Sequence, residues 1–567
     1  MQSQAVTGQD CYPWHKQYPK EIPSSINPHR YESLVELLHT SVRKFGTLPA
    51  YHCMGTTITY DKLNQLSSNF ASYLQNDLDL KPGTPIAIQL PNILQYPIAL
   101  FGALRAGMII VNTNPLYTPR EIKHQLVDSG AKVIVILANF AHKLEEITDE
   151  TAVDHVVITE MGDQLGRIKK ILVNGVVKHV KKMIPSYHLP GATKFNQALS
   201  SGKKQVFKKV YPRGWNTAFL QYTGGTTGVS KGAVLTHTNI VANIEQFYAW
   251  LLSTKIKQGE ETMITALPLY HILALVANCF LMMKIGAKNV LIPNPRDMQG
   301  FVKELSKHKF SLFSGVNTLY NGLMNESGFE QLDFSNLKLC GAGGMAVQAN
   351  TAKKWKKMTG CPISEGYGLT ETSPILTFNI VGQGKERIGS IGLPIPNTKL
   401  IIVNENEDEL PEDVPGEIFA KGPQVMKEYH NNPTETEKVF TKDGWLKTGD
   451  IGVKDKDGFF RIVDRKKEMI LVSGFNVYPN EIEEVISSHE KVREVAAIGI
   501  PDAKSDEAVK IFVVKNDPTL SEEELITYCK TKLTAYKVPK QVEFRDELPK
   551  SNVGKILRKA LREQERV

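Results

Sequence analysis

The chain has 567 residues, 41% of them hydrophobic and 23% charged, with a formal net charge of +8. That length exceeds one ordinary core and that composition excludes a disordered chain, so several packed subdomains are expected. Six scattered cysteines without a Cys-x-x-Cys pair, and a start with no apolar signal region, suit reduced thiols in a cytoplasmic protein and argue against a zinc site.

The first thirty residues, rich in Pro, Tyr and Lys, are expected to wrap the surface without a core of their own. Residues 33–45 carry Leu34, Leu37, Leu38 and Val42 at helical spacing. Residues 85–90 read as a buried strand before an apolar segment at 96–106, and 132–137 and 155–158 repeat the strand signal after helical stretches. Such alternation predicts a parallel α/β sheet.

Between Gln164 and Arg213 stand twelve Lys or Arg and no Asp or Glu. Residues 167–184 mix lysines with bulky apolar side chains, which suits either an amphipathic helix on an anionic membrane or a solvated basic excursion packed on the protein. Gly175 interrupts the stretch, and its halves share no clean face in the sequence. Residues 263–283 are a long uncharged run, long enough to cross a bilayer, yet Pro268, Tyr270, His271 and Asn278 are awkward in lipid. A buried strand, loop and helix is expected there. Further strands are read at 289–292 and 337–340.

After about residue 380 the short strands 391–394, 400–403 and 416–420 alternate with Gly/Pro turns and predict a smaller β-rich subdomain. The charged patch 464–468 marks a boundary between an N-terminal domain, 1–463, and a C-terminal domain, 464–567.

The densest chemistry lies in Thr223-Gly224-Gly225-Thr226-Thr227-Gly228-Val229-Ser230-Lys231-Gly232. Glycines let backbone N–H groups approach an anion, and hydroxyls and a lysine add donors and charge, so the loop reads as a phosphate cradle. A P-loop NTPase needs Ser or Thr after the lysine, whereas Ser230 precedes Lys231 here and Gly232 follows it. Glu365-Gly366-Tyr367-Gly368-Leu369-Thr370-Glu371 offers a carboxylate suited to magnesium, a hydroxyl suited to the α-phosphate, and an aromatic face suited to adenine. Gly341-Ala342-Gly343-Gly344-Met345 follows a predicted strand, where α/β proteins place ligands. Asp450 ends a Thr-Gly-Asp turn fifteen residues before Arg465, and residues 463–483 and 548–555 complete the set.

These stretches, in this order, resemble the adenylate-forming (AMP-binding) superfamily over nearly the whole chain, and 463–483 resembles its bacterial long-chain fatty acid–CoA ligases most. The resemblance implies an α/β fold: a large N-terminal domain of α/β subdomains with a small β-rich one, then a small mobile α+β C-terminal domain. It implies that ATP with Mg2+ activates a fatty acid to acyl-AMP, which passes to coenzyme A.

By the same resemblance Lys555, Lys231 and Thr370 are catalytic. Thr223, Gly224, Gly225, Thr226, Thr227, Gly228, Gly343, Tyr367, Asp450, Arg465, Lys467 and Gly474 bind nucleotide or CoA. Lys467 is the hinge, His271 contacts the acyl substrate, and Glu371 with Thr223 holds the metal. Transfer to a carrier protein, or an aryl or medium-chain acid, are alternatives. A kinase using the loop, or a catalytically idle scaffold, are readings from other classes. No nucleic-acid partner is expected, and oligomeric state, including a homodimer, is left open.

Overall fold

A computed structural model describes residues 12–223, 230–381, 387–473, 475–502, 505–551 and 554–565. Its largest body is built from two sheets that share one core. The seven-stranded sheet runs Thr193–Lys194, His155–Thr159, Val133–Leu137, Pro85–Gln89, Ile109–Asn112, Thr217–Tyr222, Gly232–Thr236. All neighbours are parallel except the last pair, Thr217–Tyr222 with Gly232–Thr236, which is antiparallel. Side chains alternate across its strands. Ile86 and Ile88 enter the core shared with the second sheet, whereas Ala87, Val111 and Ile134 meet Ile122 and Leu126 of the helix Pro119–Ser129 on the other face.

The nine-stranded sheet runs Leu393–Pro394, Ile375–Phe378, Ile363–Gly368, Leu339–Ala342, Leu312–Gly315, Thr262–Thr265, Lys288–Leu291, Pro49–Cys53, Thr56–Thr59. It is parallel in the middle and antiparallel at both ends. The expected α/β order is therefore present. Residues 391–394 contribute a strand to this sheet and not to the β-rich unit, because Leu393 and Pro394 pair with Phe378 and Thr377.

The uncharged run forms the strand Thr262–Thr265 and a helical stretch, Ile272–Ala274, Leu275–Phe280 and Leu281–Ile285, whose middle part is a π turn. Among the described residues no helix is long and apolar enough to cross a membrane.

Lys399–Val403, Gly416–Lys421, Leu446–Lys454 and Phe460–Arg465 make a four-stranded antiparallel sheet, the β-rich unit. After the short turn Lys466–Glu468, Ile470–Val472 begins a third system with Phe475–Val477, Asp506–Lys515, Val492–Asp502 and Gln541–Phe544. Helices Pro479–Ser487 and Glu522–Lys532 cover one face of it, and Leu561 of Arg558–Glu565 packs on the other.

Of the first thirty residues, 12–30 are described, and they are anchored: Trp14 is buried against Phe460, and the Tyr18 hydroxyl donates to the Pro394 carbonyl. The basic segment departs from the sequence reading. The helix Arg167–Gly175 continues through Gly175 into a π turn, Val176–Val180. Asn174 Oδ1 accepts from Gly162 N at 2.7 Å and Lys170 pairs with Asp163 at 2.9 Å. That leaves Ile168, Ile171, Leu172, Val176 and Val180 exposed at helical spacing, Ile168 by 77% and Leu172 by 62%. The two halves thus present apolar residues together.

Candidate active site

A cavity of about 2410 Å³ lies where the two large sheets, the β-rich unit and the C-terminal unit meet, and the predicted residues line it. At one end the strands Thr217–Tyr222 and Gly232–Thr236 carry the phosphate-loop sequence. Gly224, Gly225, Thr226, Thr227 and Gly228 lie outside the described residues, as does Gly474. The neck of the loop is tied: Thr223 N donates to Lys231 O at 2.9 Å, and Ser230 Oγ donates to Thr223 O at 2.6 Å.

Lys231 Nζ lies 2.7 Å from Glu435 Oε2 and 4.6 Å from the centre of the Tyr429 ring. The Lys231 bond, with Lys438 beside it, draws the Glu435 carboxyl down to about 2. Tyr429 in turn donates its hydroxyl to Glu371 Oε1 at 2.6 Å. Lys231, Tyr429 and Glu371 thus form one chain of contacts. Sequence reasoning missed Tyr429 and Glu435, which follow in no recognisable motif.

Thr370 and Glu371 open the short 3-10 turn Thr370–Thr372 and both line the cavity. Thr223 lines the same cavity, and a carboxylate with a hydroxyl is the oxygen chemistry a hard divalent cation takes, so Glu371 and Thr223 fit magnesium. Gly343 is tightly packed: a Cβ there would lie 3.2 Å from Leu273 Cδ2 and 3.3 Å from Gly366 O.

Asp450 is almost fully buried on the strand Leu446–Lys454. Its two oxygens are already engaged, Oδ2 by the Tyr367 hydroxyl at 2.7 Å and Oδ1 by Arg465 Nε at 2.9 Å. Burial, then the Asp450 charge, pushes the Tyr367 phenol well up, so it stays a donor. This brings three of the predicted residues into direct contact.

Lys555 reaches the same place from the C-terminal unit. Its turn is closed by Ser551 N donating to Lys555 O at 2.7 Å, and Thr318 Oγ1 donates to Gly554 O at 3.3 Å across the cavity. Gly554 has φ +79, and a Cβ there would stand 2.5 Å from Thr318 Oγ1, so only glycine fits this approach. Burial, with Arg465 beside it, lowers the Lys555 ammonium to about 8, with Asp450 opposing.

His271 caps the turn Ile272–Ala274 by accepting from Leu273 N at Nδ1, and burial followed by the nearby Lys555 charge lowers it to about 4. It is therefore a neutral imidazole at pH 7. Lys467, in the turn Lys466–Glu468, also lines the cavity and is lowered by burial and then by Arg465. The described residues either side of Gly474 in the sequence, Ser473 and Phe475, do not line the cavity, and Phe475 is exposed and stacks on Tyr536.

The far wall is apolar. Phe247 and Leu251 of the helix His237–Leu251, Ala277 of the π turn, and Leu281 and Met282 all line it. A π turn shifts side-chain register within a helix and often sits at functional sites.

The AMP-binding enzyme family matches residues 38–430, and the AMP-binding enzyme C-terminal domain matches 481–555. A long-chain-fatty-acid–CoA ligase of Escherichia coli O6:H1 is 55% identical over 553 residues, 98% of each chain. One from Bacillus subtilis is 39% identical over 557 residues, again 98% of each. Among solved structures, ATP-bound MatB from Rhodopseudomonas palustris superimposes with TM-score 0.77 at 26% identity, covering 94% of this chain and 98% of that one. An anthranilate CoA ligase in complex with anthranoyl-AMP gives TM-score 0.83 at 24% identity over 95% and 99%, a likeness of fold. With both family domains in order and near full-length identity to such relatives, the chain belongs to the AMP-binding enzyme family.

Proposed function

We propose that the chain is a long-chain fatty acid–CoA ligase: it uses ATP to turn a fatty acid into acyl-AMP and pyrophosphate, then into acyl-CoA and AMP. The observation that carries this reading is the continuity of one cavity from the cationic end at Lys231 to the apolar wall at Phe247, Leu251, Leu281 and Met282. A nucleotide and an acyl chain can meet there end to end.

In the first half, a carboxylate oxygen bonds to the α-phosphorus of ATP and the bond to the departing pyrophosphate oxygen breaks. Lys231 exchanges its Glu435 partner for the β- and γ-phosphates. Thr370 and the Lys555 ammonium face the α-phosphate and the attacking carboxylate, where negative charge accumulates. Asp450 accepts from the ribose hydroxyls while Arg465 and Tyr367 hold its carboxylate in place. Magnesium, held by Glu371 with Thr223, would supply charge neutralisation on the phosphate oxygens. His271, neutral, borders the acyl entrance.

In the second half the CoA sulfur bonds to the acyl carbon and AMP leaves. The two halves need different surroundings, so we place a hinge at Lys467 and a domain boundary at 463/464. Rotation there withdraws Lys555 and brings the Gly474 loop to the cavity.

Peripheral contact with an anionic membrane face is part of the same proposal, supported by the exposed apolar stripe of 168–180 and its lysines.

The test is acid-dependent exchange of pyrophosphate into ATP with acetate, octanoate, palmitate and benzoate, repeated with CoA to detect thioester. Palmitate should support both exchange and thioester formation best. Exchange with benzoate alone would replace the fatty acid by an aryl acid, and exchange without thioester would favour a carrier-protein acceptor.

A further inference from the structure

The strand Pro49–Cys53 in the nine-stranded sheet and the helix Met298–Leu305 bring together three polar side chains that the reaction does not use. His52 Nε2 lies 3.4 Å and His308 Nε2 lies 3.1 Å from the same atom, Glu304 Oε1. All three donor atoms fall within 4.8 Å of one another, and none of the three residues lines the large cavity. It is the sole such trio among the described residues.

The distances suit an ion between these atoms. Zinc bonds to imidazole nitrogen and carboxylate oxygen at roughly 2.0–2.2 Å, so neighbouring ligands of a tetrahedron stand about 3.3 Å apart. The two N···O separations bracket that edge. A charge-assisted N–H···O bond is shorter, about 2.7–2.9 Å, so neither contact is at its hydrogen-bonding optimum.

Two neighbours fix the ligands. His52 Nδ1 is 2.8 Å from Thr57 Oγ1, which orients the ring with Nε2 towards Glu304, as outer partners do for metal-bound histidines. Lys307 Nζ holds Glu304 Oε2 at 2.6 Å, so the carboxylate presents Oε1 singly. His308 is 8% and Glu304 17% exposed, which leaves solvent access for a water as fourth ligand. The scattered cysteines that argue against a thiolate zinc site say nothing against this one. Two imidazoles and one carboxylate suit zinc, while magnesium prefers oxygen alone.

We propose that His52, Glu304 and His308 bind one zinc ion and so tie the strand Pro49–Cys53 to the end of the helix Met298–Leu305, at a site separate from the one proposed for magnesium.

The test uses the full chain, stripped with EDTA, dialysed, and titrated with zinc sulfate without ATP against a chromophoric chelator, with thermal melting in parallel. Wild type should take up one equivalent and melt higher with zinc. His52→Ala and His308→Ala should lose both effects while retaining acyl-CoA synthesis, since neither residue lines the cavity. Thr57→Val should keep the site with affinity about 10–100-fold weaker. No stoichiometric uptake by wild type overturns the proposal, as does undiminished uptake by both alanine variants. Should those variants misfold, unchanged zinc affinity in Thr57→Val overturns it alone.

Discussion

At Lys555 two influences oppose each other: burial with Arg465 beside it lowers the ammonium to about 8, and the Asp450 carboxylate works the other way. In the proposed reaction the charged form is the useful one. Because the free pKa is lowered, the proton is lost as pH rises through about 8. kcat/KM for adenylation, which reports the free enzyme, should therefore fall above that pH. Lys555→Arg should remove this alkaline limb, since guanidinium stays charged. Lys555→Ala should cost adenylation about 10²–10³-fold, the usual loss for one donor at a developing charge, while conversion of supplied acyl-AMP and CoA stays near wild type. Equal loss in both half-reactions defeats the assignment.

That Lys555, Asp450 and Lys231 meet at one cavity was legible in the sequence, because each stands in a stretch whose residue types suit phosphate or ribose. Glu435 and Tyr429 were not, because an ordinary Glu and Tyr acquire meaning only when folding sets them against Lys231.

Between elements, the turn Lys466–Glu468, where the hinge is proposed, separates two ion pairs with different fates. Arg562 and Glu468 both lie beyond Lys467, at 2.6 Å, and travel together in any rotation there. Arg558 instead reaches back to Asp464 at 3.2 Å, and Asn480 N donates to the other Asp464 oxygen at 2.8 Å. These bonds cross the proposed hinge, so the proposed rotation would break them. A hydrogen bond to a charged group is worth about 1.5–3 kcal/mol, so Asp464→Asn should shift the balance away from the conformation with Lys555 docked by about tenfold or more. Single-turnover kinetics should show slower adenylation with thioester formation unchanged or faster; slowing of both alike would mean general damage.

The sequence marks residues 464–468 as a charged patch but offers no partners for Arg558 and Arg562. Charge was visible and partners were not. Elements show the same limit. The helix at 33–45 and the strands at 85–90 and 132–137 were legible from periodicity, because the pattern is local. The sheet to which residues 391–394 belong was not, because it depends on pairing with Phe378 and Thr377.

For the whole molecule, the net charge of +8 is unevenly spread, and its densest stretch coincides with an exposed apolar stripe. Either feature alone has an ordinary explanation. Exposed lysines keep a surface solvated, and single apolar residues are common there. Their combination on one helix is what an interfacial segment needs, because the apolar side chains enter the acyl boundary while lysines meet anionic headgroups. The lysines do not contribute equally. Lys170 is paired with Asp163, and Lys169 donates to the Gly55 carbonyl, whereas Lys178, Lys181 and Lys182 are exposed and make no salt bridge among the described residues.

Each free lysine near an anionic surface is worth about 1 kcal/mol, so replacing those three with Gln should weaken binding to phosphatidylserine-containing vesicles by about a hundredfold. Ile171→Ser with Leu172→Ser should weaken it on neutral and anionic vesicles alike, because the loss is of apolar area. Sedimentation with both vesicle types, alongside palmitate activity in detergent to confirm an intact cavity, separates the two contributions. If both variants sediment like wild type, the stripe is a solvent-facing surface and the membrane contact is wrong; if only the lysine variant fails to sediment, attraction is electrostatic and the apolar stripe stays in water.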